Sequence, residues 1–145
     1  MNILITGANG QLGNEMRVLS KENGQHAYFF TDVQELDICD EQAVHGFVKD
    51  KRIDVIVNCA AYTAVDKAEE HEDLCMRINR DAVRNLGEAA HAVGAKVIHV
   101  STDYVFAGDG TRPYVEYDTP APISAYGRSK YEGEKFVQQF ANRYF

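Results

Sequence analysis

The sequence predicts an α/β domain with a doubly wound parallel sheet, and three observations carry that expectation. Short apolar runs alternate with longer stretches of helical period, a glycine-spaced turn follows the first run, and all three prolines fall in one late loop. Strands that alternate with helices are joined by crossovers, so they run parallel and both faces of the sheet are covered.

Asn2 to Thr6 reads as a buried strand, and the turn after it hands over to a helix from Gln11 to Lys21 that Asn23-Gly24 ends. His26 to Phe30 is a second strand. Glu41 to Lys51 follows as a helix, with Ala43, Val44, Phe47 and Val48 on its apolar face, and Asp54 to Asn58 is a third strand. A polar stretch after Ala60-Ala61-Tyr62 leads to a long helix from Leu74 to Val93, closed by Gly94, and then to the strand Lys96 to Ser101. Asp103 to Ile123, with Gly108-Asp109-Gly110 and the prolines, is a loop of a length that usually serves function. The final helix runs from Ser124 to Asn142. No internal repeat or low-complexity segment interrupts the pattern.

With 145 residues, 45% of them hydrophobic, the chain can bury one core, so residues 1–145 are expected to form one domain. The formal charge of -7 and a pI near 5.2 leave no basic stripe, which argues against a nucleic-acid or membrane-surface partner. Cys39, Cys59 and Cys75 are odd in number and lack a Cys-x-x-Cys pair, as expected of reduced, cytosolic thiols. The N-terminal apolar stretch is too short for a signal segment and no run is long enough to span a bilayer. The five histidines suggest no ligand spacing with carboxylates or cysteines, so no metal is expected from spacing; His99, inside a strand, reads as a satisfied core side chain. Glu69-Glu70 and Glu72-Asp73 read as a solvated face.

The chemistry is carried by residues at the carboxyl ends of the strands. In Gly7-Ala-Asn-Gly10-Gln-Leu-Gly13, Gly7 permits the tight turn, Gly10 allows close backbone approach and Gly13 allows helix-to-strand packing. The helix that starts there offers free N-H groups and a positive dipole end to a pyrophosphate. Asp32, at the end of the second strand, can accept hydrogen bonds from an adenosine ribose and would repel a 2′-phosphate, with Glu35 and Asp37 as competitors for that role. Ser101-Thr102 follows the fourth strand, where a hydroxyl can donate to a carbonyl oxygen. Tyr126 and Lys130 in Tyr126-Gly-Arg-Ser-Lys130 are spaced to share one helix face, where an ammonium can favour the phenolate of a side chain whose free pKa is about 10. Glycine turn, post-strand hydroxyl and Tyr-x-x-x-Lys helix, in that order, indicate nucleotide-dependent redox chemistry on a Rossmann-like sheet.

That order of motifs resembles the extended short-chain dehydrogenase/reductase family over essentially the whole chain. Within it, Ala60-Ala-Tyr-Thr-Ala-Val-Asp-Lys-Ala-Glu69, Ser101-Thr-Asp-Tyr-Val-Phe106 and Tyr126-Gly-Arg-Ser-Lys130 are similar to the branch that reduces the C4 ketone of dTDP-4-dehydro-L-rhamnose in deoxysugar and polysaccharide synthesis. The resemblance implies Tyr126 as proton donor, Lys130 holding the nicotinamide ribose and lowering the tyrosine pKa, and Thr102 bonding the substrate ketone, with Asp103 beside the sugar. It implies NADH or NADPH as cofactor, met by Gly10, Gln11 and Leu12 at the pyrophosphate, Asp37 and Ile38 at the adenine, and Ala61, Tyr62 and Thr63 at the inner segment. It further implies a cytoplasmic homodimer for the full-length protein. Some family members hold a magnesium ion at the dimer interface, and Glu15 matches one of its ligands.

Family members continue into a smaller sugar-nucleotide-binding domain, so the resemblance makes this sequence the N-terminal portion of a longer protein. The expectation that follows is an unpaired edge beside the fourth strand, self-association or marginal stability, weak NADH binding and no ketone reduction by these 145 residues alone. Two rival readings stand beside the reductase. One is a nucleotide-sugar epimerase or dehydratase of the same family, which would retain its NAD through the cycle. The other is a non-catalytic regulatory subunit resembling the β subunit of methionine adenosyltransferase.

Overall fold

In the computed structural model, which describes residues 1–145, four parallel strands lie in the order β2-β1-β3-β4. These are β1 (Asn2–Thr6), β2 (Ala27–Thr31), β3 (Val55–Asn58) and β4 (Lys96–His99). The first strand is central because it is buried on both faces, Leu4 on one and Ile3 and Ile5 on the other. The crossovers contain α1 (Gln11–Glu22), α2 (Glu41–Asp50) and a broken helical segment before β4, and α6 (Ala125–Phe140) closes the fold. The sheet is doubly wound, as the alternation predicts.

Side-chain alternation along the strands divides the core. Leu4, Ile56 and Val97 face Val44 and Val48 of α2, Leu86 and Ala90 of the helix before β4, and Val137 of α6. Ile3, Ile5, Val55 and Val57 face the opposite way, toward Met16 of α1. Each buried valine, leucine or isoleucine among them contributes about 1.5–3 kcal/mol relative to exposure. The helix caps are local. Asp40 accepts from Ala43 N at α2, and Ser124 accepts from Gly127 N at α6, whereas α1 begins at Gly10 with no side-chain cap.

Several expectations need correcting. The helix expected from Leu74 to Val93 is present from Glu72 as one helical run, α4 (Glu72–Met76) and α5 (Ala82–Val93) joined by a π turn at Arg77–Asp81 that the sequence does not announce, and the polar stretch before it holds a short α3 (Val65–Ala68). The widened turn lies where α6 presses closest, for a Cβ on Gly133 would run into the Asn79 carbonyl. β4 ends at His99 rather than Ser101, because the Val100 carbonyl accepts from Lys130 Nζ instead of continuing a ladder. Nor is the far edge of β4 bare: Tyr144 bridges Val97 in parallel, with Val97 N and His99 N donating to the carbonyls of Arg143 and Phe145. The acidic run is not only a solvated face. Glu69 accepts from Ala125 N at 2.7 Å and Glu72 pairs with Arg128 at 3.3 Å, both fastening the start of α6. No helix is long and apolar enough to cross a membrane.

Candidate active site

The glycine turn sits between β1 and α1 at the carboxyl end of the sheet. Gly7 has a φ of +61°, and a Cβ there would stand 2.6 Å from Ala60 N. A Cβ on Gly13 would stand 2.6 Å from Ala8 Cα, so this glycine lets the helix close onto the turn rather than onto the strand. Gly10 is the most open of the three, with only Gly7 O within reach of a Cβ, at 3.2 Å. Its backbone faces outward at an uncapped helix start. That combination suits an anionic ligand, to which the first-turn N-H groups and the helix dipole are offered together.

A cavity of about 450 Å³ opens beside this turn, lined among others by Gly7, Gly10, Asp32, Asp37, Ile38 and Ala61. The Asp32 carboxylate reaches back to the turn, accepting from Asn9 N at 3.1 Å and from Val33 N at 2.9 Å. Glu35 is used otherwise, accepting from Asp32 N, so Asp32 and Asp37 are the carboxylates left at the cavity. Gln11, Leu12 and Thr63 are exposed beyond its lining, and Tyr62 packs against the cluster that contains Tyr126. The run Ala60-Ala61-Tyr62 thus leads from the cavity to α6. Arg77 and Cys39 also line the cavity, although nothing in their local sequence marks them. Burial and the Asp37 carboxylate push the Cys39 thiol up.

On α6, Tyr126 is 9% exposed and Lys130 2% exposed. The Tyr104 ring meets the Tyr126 ring edge-on at 5.7 Å, and the Tyr104 carbonyl lies where a Cβ on Gly127 would fall. A 3₁₀ turn at Asp103–Val105 is thereby clamped to α6, and Thr102 caps it through Tyr104 N. Thr102 Oγ1 also donates to Asp103 Oδ1 at 3.2 Å, while neighbouring Ser101 is taken by Glu134 of α6. Thr102, Asp103, Tyr126 and Lys130 all lie outside the lining of the 450 Å³ cavity.

Lys130 Nζ donates to Val100 O at 2.6 Å and stands 3.5 Å from His99 Nε2. Burial pushes the lysine down to about 8, against the opposing pull of Glu134 and Cys75. His99 is the satisfied side chain that its strand position suggests, because Asn58 Nδ2 lies 3.0 Å from its Nδ1. Asn79, which pattern reading passes over, is a second organiser. It accepts from Tyr62 N and donates to Tyr62 O and to Ser129 Oγ, tying the cavity run to α6. A buried asparagine inside a helical pattern was its one available signal.

One cluster goes against the reading of the histidines. Glu41 and His45, four residues apart on α2, bring their ligand atoms within 4.8 Å of each other and of Glu88 from α5. Glu88 is paired there with Arg84 at 2.8 Å. Glu15 is exposed on α1.

A family model described as RmlD substrate binding domain matches residues 1–145. The chain belongs to that family. Among its relatives is the dTDP-4-dehydrorhamnose reductase of Escherichia coli K12, 42% identical over 148 residues, which cover 99% of this chain and 49% of that one. A dTDP-4-dehydrorhamnose reductase crystal structure from Clostridium acetobutylicum superposes with a TM-score of 0.97 at 49% identity, covering 99% of this chain and 51% of that one. The Bacillus anthracis enzyme of the same name, solved in complex with NADP, gives 0.94 at 44% identity with the same coverage. The chain therefore spans about half the length of the relatives it matches.

Proposed function

We propose that this chain carries the cofactor-binding and proton-donating part of an NAD(P)H-dependent reductase that converts the C4 ketone of dTDP-4-dehydro-L-rhamnose to the alcohol of dTDP-L-rhamnose. The observation that carries the reading is the buried Tyr126-Lys130 pair on α6, at the end of the Ala60-Ala61-Tyr62 run that leads from the glycine-lined cavity. Residues 1–145 form its dinucleotide-binding domain. The cradle fits a dinucleotide: an uncapped helix start, an outward-facing Gly10 and a carboxylate at the end of β2.

Nicotinamide, when bound, supplies the hydride. Tyr126 gives its phenolic proton to the oxygen that becomes the alcohol, and the Lys130 ammonium stabilises the phenolate left behind. Lys130 also holds the ribose, Thr102 donates to the ketone oxygen, and Asp103 lies beside the sugar. Gly7, Gly10, Gln11, Leu12 and Gly13 meet the pyrophosphate, Asp32 the adenosine ribose, Asp37 and Ile38 the adenine, and Ala61, Tyr62 and Thr63 the inner segment. We place the enzyme in the cytoplasm as a homodimer, with Glu15 as a ligand if magnesium joins the subunits. The family membership and the identity to named reductases support the substrate class.

The test is stoichiometry. In a polypeptide of its relatives' length, one NAD(P)H should be consumed for each dTDP-4-dehydro-L-rhamnose converted. Conversion of a nucleotide sugar without net NAD(P)H loss would favour the epimerase reading instead. Stable binding to a synthetase with no turnover would favour the regulatory one.

A further inference from the structure

Beside Lys130 lies a histidine that the proposed reaction does not use. Asn58 of β3 and His99 of β4 are register partners, with Asn58 Nδ2 3.0 Å from His99 Nδ1. The orientation of the amide is set by a group that can only donate. The Ala60 backbone N-H points at Asn58 Oδ1 over 3.2 Å, beside the Thr6 hydroxyl at 2.6 Å. With its oxygen so engaged, the amide turns its NH2 to the ring, and His99 Nδ1 must accept. The neutral ring then carries its proton on Nε2, the nitrogen that faces Lys130 Nζ at 3.5 Å. A doubly protonated ring would set an N-H against the Asn58 NH2. The same amide therefore opposes the imidazolium, in keeping with burial and the Lys130 charge pushing His99 down to about 3.

We propose that His99 is a positioning residue for Lys130: held by Asn58 as the Nε2-H tautomer, its ring offers the lysine a proton and no lone pair. Lys130 is thus kept to the Val100 carbonyl, and its remaining N-H groups are left for ligand and tyrosine. The inference rests on the reading of Lys130 as a cofactor contact. The titratable groups facing Lys130 are His99 from β4, Cys75 from α4 and Glu134 on its own helix, with Tyr126 four residues earlier on that helix. Glu134 already accepts from Ser101. A ring with a free lone pair at Nε2 would accept from the ammonium, favour its charged form and draw it away from the ligand.

Nitrogen NMR of the His99 side chain in this chain reports the tautomer and needs no turnover. The expected result is a protonated Nε2, a bare Nδ1 and no titration between about pH 5 and pH 8. Asn58→Asp keeps an oxygen facing Ala60 and Thr6 but presents an acceptor to Nδ1. It should move the proton to Nδ1 and raise the Lys130 midpoint, followed by side-chain NMR, by about one pH unit. In a His99→Phe background, where no ring nitrogen can relay the change, the same substitution should shift that midpoint clearly less. A protonated Nδ1 in the unsubstituted chain overturns the proposal, as do equal lysine shifts in the two backgrounds. If Asn58→Asp prevents folding, the tautomer of the unsubstituted chain decides alone. Failure of a relatives'-length polypeptide to reduce the ketone would overturn the reductase reading and leave the tautomer assignment standing.

Discussion

The His99 ring enters the folded state neutral, because burial and the Lys130 charge hold it down to about 3 from an ordinary 6.5. Between those values the unfolded chain binds a proton that the folded chain does not. Stability therefore falls as pH drops from about 6.5 toward 3, by at most about 1.4 kcal/mol per pH unit from this group. His99→Gln should flatten that acid slope, measured as urea midpoints at a series of pH values. Lys130 acts in the same direction in another window: its folded value of about 8 lies below 10.5, so the cost of its buried charge is relieved as pH rises between them. At the cavity, Asp32 opposes a 2′-phosphate, so NADH should bind better than NADPH, and Asp32→Asn should narrow the preference by about threefold to tenfold. Calorimetric titration of both cofactors checks this, and an unchanged ratio would mean that Asp32 does not face the ribose. The placement of Gly7 and Asp32 at the cavity and of Tyr126 and Lys130 on one buried helix was legible from local spacing. Asn58, Asn79 and the pairing of His99 were not, since each acquires its role from a partner on a distant element.

Helix α6 is where local pattern and tertiary packing diverge. Its start, at a serine cap before an apolar-periodic run, could be read directly from sequence, as could β1, α1 and α2. The π turn at Arg77–Asp81 could not, because it accommodates contact with Gly133 on α6, and sequence periodicity does not encode a neighbour's approach. Gly133→Ala should therefore lower stability by about 1–3 kcal/mol, since the new Cβ meets backbone that cannot move aside cheaply. Gly46→Ala on α2 is the contrast. Nothing lies within 4 Å of its Cβ position, so the change should stabilise by about 0.5–1 kcal/mol through helix propensity. Denaturant midpoints of the two variants should move in opposite directions; a stable Gly133→Ala chain would show that α6 is less tightly seated than described.

Across the whole molecule, the parallel order β2-β1-β3-β4 puts the glycine turn, Asp32, the Ala60-Ala61-Tyr62 run and Thr102 after the carboxyl ends of successive strands, with α6 packed alongside. That arrangement follows from strand-helix alternation, which is why the fold class and the placement of these segments were readable before any coordinates. The pairing of residues 143–145 with β4 was not, for so short a segment carries no periodicity. In the proposed reaction this scaffold brings a proton donor, Tyr126, to a ketone beside a bound nicotinamide. The most direct test compares kcat for dTDP-4-dehydro-L-rhamnose reduction, together with NADH affinity, between unsubstituted and Tyr126→Phe polypeptides of the relatives' length. In the Tyr126→Phe polypeptide kcat should fall by about 10²- to 10⁴-fold while NADH affinity stays within about twofold. A Tyr126→Phe enzyme that turns over at the unsubstituted rate would contradict it.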